Sequence, residues 1–235
     1  MSRFQTVSMP RQKAEVLNAF MRGVYQWMSL GLALTAGVAF FTASSPALLN
    51  ALFSNQIMAF VVMLAPFGLV IALSAGINKM SASMATGMFM AYSALMGLSL
   101  STVLIVYTGQ SVFSAFVTAA GMFGAMSVYG MTTKKDLTSW GSFLFMGLVG
   151  IIIASVVNIF LGSSQMSFII SFLGVIIFTG LTAYDTQKLK VMGETAPAND
   201  ATAVRRGVIL GALTLYLDFI NLFLMLLRLM GSTRD

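Results

Sequence analysis

The sequence predicts an all-α membrane protein, a bundle of seven transmembrane helices, and three observations lead there. Of 235 residues, 58% are hydrophobic and only 9% charged, with a mean hydropathy of +0.90; a soluble domain carries about 25% charged residues. Seven apolar segments recur along the chain, each long enough to cross a bilayer as a helix of about 17–25 residues. Basic residues, finally, collect in alternate connections between those segments. Together these exclude a soluble enzyme, a DNA-binding domain and a disordered tail. A membrane β-barrel would show alternating segments of about ten residues, which this chain lacks.

The elements follow in order. Residues 1–23 are basic, with Arg3, Arg11, Lys13 and Arg22, and are expected to form a cytoplasmic tail. The first span, Val24–Phe41, is longer than the apolar run of about 7–15 residues in a cleaved signal, so it is expected to be retained. The second, Ile57–Ile77, contains Pro66, which is expected to kink it, as a packed membrane helix tolerates. Met84–Tyr107, Val112–Met131, Gly141–Leu161, Met166–Asp185 and Gly207–Met230 complete the set, and residues 231–235 are left as a C-terminal tail. No interior linker divides residues 24–230, which form one transmembrane domain. Gly207 and Gly211 open the seventh span at a spacing that lets helix backbones approach, and they are expected to pack within the bundle. The 19 methionines suit adaptable packing better than metal ligation.

Charge gives the topology. The N-terminal tail and the connections 78–83, 132–140 and 186–206 carry four, one, two and four basic residues, whereas 42–56, 108–111 and 162–165 carry none. By the positive-inside rule the N-terminus is cytoplasmic, and an odd number of spans places the C-terminus outside. Arg228 and Arg234 then lie outside, which leaves a re-entrant final segment as the alternative. The net charge of +6 therefore reports topology, and no nucleic-acid partner is expected.

The chain has no cysteine and no histidine. Disulfides, thiolate chemistry, Cys-ligated zinc, Ser–His catalysis and the commonest near-neutral proton switch are all removed. Any pH-dependent chemistry rests on carboxylates. Five of the seven acidic residues fall in tails or loops; Asp185 ends the sixth span and Asp218 lies well inside the seventh. A buried aspartate in a spanning helix costs about 2.5–3.5 kcal/mol on insertion scales and usually faces the protein interior with a function.

On a helix, Asp218 shares a face with Thr214 and Asn221, which give that face hydrogen-bonding capacity. Asp185 shares one with Thr182, and Lys188 lies one turn further on. If the two carboxylates meet in a low dielectric, they share a proton and titrate as a unit, which supplies a pH switch without histidine. The same two oxygen sets would suit a hard cation such as calcium. Depth opposes the meeting: Asp185 lies about 4.5 Å along the axis from Lys188, but Asp218 about 18 Å beyond Arg206. Either helix six runs past the membrane surface or helix seven begins before it. Otherwise Asp185 pairs with Lys188 at the interface, and Asp218 is a neutral, hydrogen-bonded core residue.

The stretches Gly180-Leu-Thr-Ala-Tyr-Asp-Thr-Gln-Lys-Leu-Lys190 and Leu215-Tyr-Leu-Asp-Phe-Ile-Asn-Leu-Phe-Leu-Met-Leu-Leu-Arg228 resemble signatures of the Bax inhibitor-1 family. Met122-Phe-Gly-Ala-Met-Ser followed by Thr133-Lys-Lys-Asp-Leu-Thr138 is similar to its bacterial members, and the overall pattern is nearest to inner-membrane proteins of Gram-negative bacteria. The resemblance covers all seven spans. It implies a seven-helix fold with the last helix central, and it matches Asp185 and Asp218 to a paired aspartate sensor that gates a calcium leak. Some members place a basic residue near the cytoplasmic end of helix two against that pair. Here the region reads Ala72-Leu-Ser-Ala-Gly-Ile-Asn-Lys79, with Lys79 and no arginine.

Three functional classes follow. The first is a pH-sensitive calcium or cation leak of the bacterial inner membrane, not an enzyme, with no cofactor besides Ca2+ as permeant or bound ion. The second is a non-conducting regulator of a stress response or of a membrane-bound ATP-dependent protease, as the resemblance implies for other bacterial members. The third is an intramembrane aspartyl protease: Tyr184-Asp185 is similar to that family's first motif, but Leu215-Tyr216-Leu217 stands where those enzymes place Gly-x-Gly. A retinal photoreceptor is excluded, because the seventh span has no lysine for a Schiff base.

Overall fold

A computed structural model describes residues 9–197 and 200–234, with side chains from residue 14 onwards. Among the described residues the chain forms eight α-helices: α1 (Met9–Ala43), α2 (Pro46–Phe53), α3 (Gln56–Gly76), α4 (Ala82–Val106), α5 (Gly109–Thr132), α6 (Thr138–Leu161), α7 (Ser164–Glu194) and α8 (Ala201–Met230). A 3₁₀ turn, Ile77–Lys79, joins α3 to α4. All but α2 are long and apolar enough to cross a membrane, so the seven expected spans are present.

Local sequence sets the starts. The side chains of Ser45, Asn55, Ser81, Thr108, Ser163 and Asp200 each accept a backbone N–H in the first turn of the helix that follows. Such caps satisfy donors that a helix leaves without an internal partner. Gly162 closes α6 at φ +60°, a left-handed conformation that side chains resist. α3 continues as helix through the buried Pro66.

Three expected boundaries are corrected. The connection 42–56 contains α2, where Ser45 caps and Pro46 occupies the first turn, a favoured starting pair; at eight residues it is too short to span. α1 already begins at Met9, so residues 9–23 are the leading turns of a helix and no separate tail; residues 1–8, with Arg3, lie outside the described residues. The sixth spanning helix does not stop at Asp185 but runs nine residues further to Glu194, and the seventh starts at Ala201, ahead of Gly207. The expected loop 186–206 shrinks to 195–200. Hydropathy marks where a helix leaves lipid, not where it ends. The polar extension of α7 packs on the early part of α1: a Cβ at Gly193 would lie 2.9 Å from both Leu17 Cδ1 and Phe20 Cδ1.

α8 is the centre of the bundle, packed by α1, α4, α5 and α7, while α3 flanks α4 and α6 flanks α7. In its most apolar window 72% of α8 is buried, against 39% for α7 and 11% for α6. Small residues permit that density. A Cβ at Gly211 would meet Leu189 Cδ2 at 2.8 Å and Val24 Cγ2 at 3.0 Å, and one at Gly207 would meet the Phe20 ring at 3.2 Å. This glycine pair therefore packs inside the bundle. Outward, α3 and α6 present Phe60, Phe67, Phe143 and Phe160, all mostly exposed, as lipid-facing surfaces do.

α8 ends at the far side of the bundle and does not turn back. Its tail pairs with the α4–α5 connection: Thr108 N donates to Ser232 O at 3.1 Å, Arg234 N to Val106 O at 2.8 Å, and Tyr107 bridges Thr233. The re-entrant alternative is thereby set aside.

Candidate functional site

Asp218 sits in the middle of α8, buried at 5% exposure, and Asp185 sits half-buried on α7. Two close approaches set the antiparallel register of these helices. Gly174 lies against Met225, and Gly211 against Leu189, which brings Asp185 within a turn of Asp218. Their carboxyl groups are near enough to interact with one another. Two carboxylates only accept hydrogen bonds, so a bond between them would require one shared proton. One carboxyl oxygen of Asp218, the buried Oδ2, has no hydrogen-bond partner.

The depth objection is met from both sides. α7 runs on past Asp185, and α8 starts six residues before Gly207, so both aspartates lie well within their helices. Lys188 is exposed one turn beyond, where its charge still reaches Asp185.

The expected supporting residues are present but turned to their own helices. Thr182 Oγ1 donates to Phe178 O at 2.8 Å, Thr214 Oγ1 to Leu210 O at 3.0 Å, and Asn221 Nδ2 to Leu217 O at 2.8 Å. Both threonine hydrogens are therefore spent on their own helices, while the Asn221 amide keeps one N–H and its carbonyl oxygen. Other hydroxyls, which sequence reasoning passed over, stand open. Among the described residues, the buried side-chain atoms without a partner are Asp218 Oδ2, Ser127 Oγ, Thr179 Oγ1 and Thr186 Oγ1. All four fall on α5, α7 and α8. α5 reaches α7 closely there, because Gly130 packs on Ala183 O and beside Thr186 Cβ. Buried polar atoms that lack partners carry an energetic penalty of about 1–3 kcal/mol each, which water or a cation would relieve. No group of three carboxylates exists among the described residues, so any cation here would rely on two carboxylates plus hydroxyl or water oxygens.

The basic end of the bundle is tied together by residues first read only as topology signals. Arg206 Nη1 donates to Asn78 O at 2.5 Å and Met80 O at 3.4 Å, so α8 grips the α3–α4 turn. Lys79, in that turn, is exposed. Lys190 Nζ donates to Met131 O at 2.9 Å. Gln187 accepts from Leu137 N and donates to Lys135 O, both at 2.8 Å, and so clamps the α5–α6 connection to α7. The Arg205 guanidinium lies 4.7 Å above the Trp27 ring, a cation–π contact between α8 and α1.

Two residues before Asp218, Tyr216 ties α8 to α1 and α4. Thr35 Oγ1 donates to Ser93 O at 2.8 Å and lies 2.7 Å from Tyr216 Oη. Since the threonine proton is used, the tyrosine is the donor. Phe89 and Tyr92 meet the Tyr216 ring edge-on at 6.1 and 5.5 Å.

The family model described as "Inhibitor of apoptosis-promoting Bax1" matches residues 17–235. The chain is 53% identical over 234 residues to inner membrane protein YbhL of Escherichia coli K12, with 100% of each chain covered. It is 46% identical to an uncharacterized protein of Borreliella burgdorferi, over 97% of this chain and 99% of the relative. A Rickettsia prowazekii protein, also uncharacterized, is 43% identical over 98% of this chain and 96% of the relative.

Proposed function

The chain belongs to the Bax inhibitor-1 family, and from that premise we propose that it is a pH-sensitive cation leak of the bacterial inner membrane, with calcium as permeant ion and Asp185–Asp218 as the gate. The observation that supports this reading most is the carboxyl pair itself. Two carboxyls share the interior of a membrane bundle, and one oxygen of Asp218 lacks any protein partner. Membrane interiors hold such groups where ions or protons pass.

With one proton between them, the carboxyls bond α7 to α8, and the net negative charge is small. Loss of that proton leaves two like charges in a low dielectric, which repel. The repulsion loosens the α7–α8 seam and gives a divalent cation its oxygens. Thr179 and Thr186 on α7 and Ser127 on the adjoining α5 carry the buried hydroxyls that would supply neutral oxygens. Only two charged ligands make a weak site, which suits an ion that must leave again. Flux therefore rises with pH. The protein has no catalytic role in this reading.

Proteoliposomes loaded with a calcium dye test it. Wild type should leak calcium with a rate that climbs as pH is raised, and Asp218→Asn should leak slowly at every pH. Asp185→Asn should also lose the pH response. Unchanged pH-dependent flux in both variants would overturn the proposal. No flux above empty vesicles would favour a non-conducting regulator.

A further inference from the structure

Away from the aspartates, a groove runs between α1, α4 and α5 with α8 as its floor. Its inner part, about 300 Å³, reaches in to Phe219, Ile220 and Phe223. Its outer part, about 530 Å³, opens near Ser44, Gly109 and Arg234. Ala36, Phe40, Leu104, Val112 and Phe116 line both parts, so the two are one continuous groove. The inner lining is apolar except for Thr35, whose hydroxyl already serves Ser93 and Tyr216. Nothing there recognises a polar ligand.

The mouth differs. Arg234 is placed there by the tail, through its own N–H on Val106 O at 2.8 Å and the neighbouring Thr108 N–Ser232 O bond at 3.1 Å. A third bond, Ser232 N to Ser111 Oγ at 2.9 Å, anchors the tail to the first turn of α5. The N-terminus of α5, at Gly109, opens on the same mouth, and its dipole favours an anion there. The groove is thus apolar along its length and cationic at one end, the polarity of a single phospholipid.

We propose that this groove binds one membrane phospholipid, with an acyl chain along α8 and the phosphate at Arg234. The walls argue for the chain. Phe40 and Phe113 are 70% and 68% exposed, so the groove opens sideways into lipid. In a bilayer the available occupant of such an opening is hydrocarbon. The guanidinium argues for the headgroup, since arginine matches a phosphate with two parallel hydrogen bonds. The tail, with little packing of its own, acquires a role: it holds that guanidinium over the groove.

Native mass spectrometry of the full chain, titrated with phosphatidylglycerol or phosphatidylcholine, tests this. Wild type should retain one lipid and prefer phosphatidylglycerol. Ala36→Trp, at the waist of the groove and exposed, should weaken both lipids at least tenfold. Arg234→Gln should keep the lipid but bring the two headgroups to near-equal affinity; an unchanged preference would overturn the proposal, even if Ala36→Trp fails to fold. Phe160→Trp, on the exposed face of α6, should change nothing; a loss equal to that of Ala36→Trp would show unspecific belt lipid and also overturn it. Millimolar inorganic phosphate should not displace the lipid; displacement would point to free phosphate instead.

Discussion

α6 and α8 are both apolar spanning helices, yet they occupy opposite environments. The more hydropathic of the two, α6 at 2.6, has 11% of its window buried, whereas α8 at 2.0 has 72%. In water the ranking would be reversed. Lipid is as apolar as leucine, so hydrophobicity gives no reason to leave it; small residues, hydrogen bonds and polar groups decide which helix goes inside. α8 carries Asp218 with Thr214, Tyr216 and Asn221, whereas α6, with three glycines of its own, has no charged residue and turns Phe143, Phe145, Ile159 and Phe160 outward.

That contrast can be broken by substitution. The largest effect is expected from packing loss. Leu222→Ala in α8, at 0% exposure, should destabilise by about 2 kcal/mol. This is the low end of the soluble range, because the transfer term vanishes in lipid and the cavity term remains. Phe160→Ala in α6, at 85% exposure, should stay within about 0.5 kcal/mol. Unfolding in mixed micelles reads both. Equal losses would break the distinction.

Next comes overpacking. Gly211→Leu would drive into Leu189 and Val24, whereas Gly150 in α6 has nothing within 4 Å of its would-be Cβ. The first should cost about 1–2 kcal/mol, the lower part of the overpacking range, since both contacts are with side-chain ends, and Gly150→Leu should be near neutral in the same assay. Smaller again is Tyr216→Phe, which removes a buried hydroxyl that donates to Thr35. About 0.5–1.5 kcal/mol is expected, and Thr35→Val in the same background should add only the loss of its bond to Ser93 O, so the double variant falls short of the sum of the two single ones.

The smallest effect lies outside the membrane. Thr138 donates from Oγ1 and N to Asp136 Oδ1, at 2.6 and 2.9 Å, and these bonds hold the carboxyl below its ordinary range. A lowered carboxyl stabilises the fold above its unfolded titration, and that support is lost as pH falls through the folded value. Asp136→Asn should flatten this acid-side dependence slightly; a change at neutral pH larger than that of Tyr216→Phe would contradict the surface assignment.

How much of this was legible in the sequence differs by feature. The seven spans were, because a helix at membrane depth must be apolar whether it faces lipid or the bundle. The ends of α7 and α8 were not: Thr186 to Glu194 reads as a polar loop, and only its packing on Leu17 and Phe20 explains the helix. The aspartates stood out as charges inside apolar runs. Thr182, Thr214 and Asn221 share helical faces with the aspartates, but a helical face does not reveal that each side chain will bond to its own backbone. The Thr35–Tyr216 bond joins residues 181 positions apart, and neither residue's neighbours announce it. Arg206 and Lys190 were visible as charges, while their grip on Asn78 and Met131 carbonyls depended on the fold.

The central claim is that one proton between Asp185 and Asp218 controls conduction. The most direct measurement follows the carboxyl infrared band and calcium flux in the same proteoliposomes as pH is raised. The account predicts that a protonated carboxyl band, absent in Asp218→Asn, disappears over the pH interval in which flux rises. A band that disappears without any change in flux, or flux that rises identically in Asp218→Asn, would contradict it.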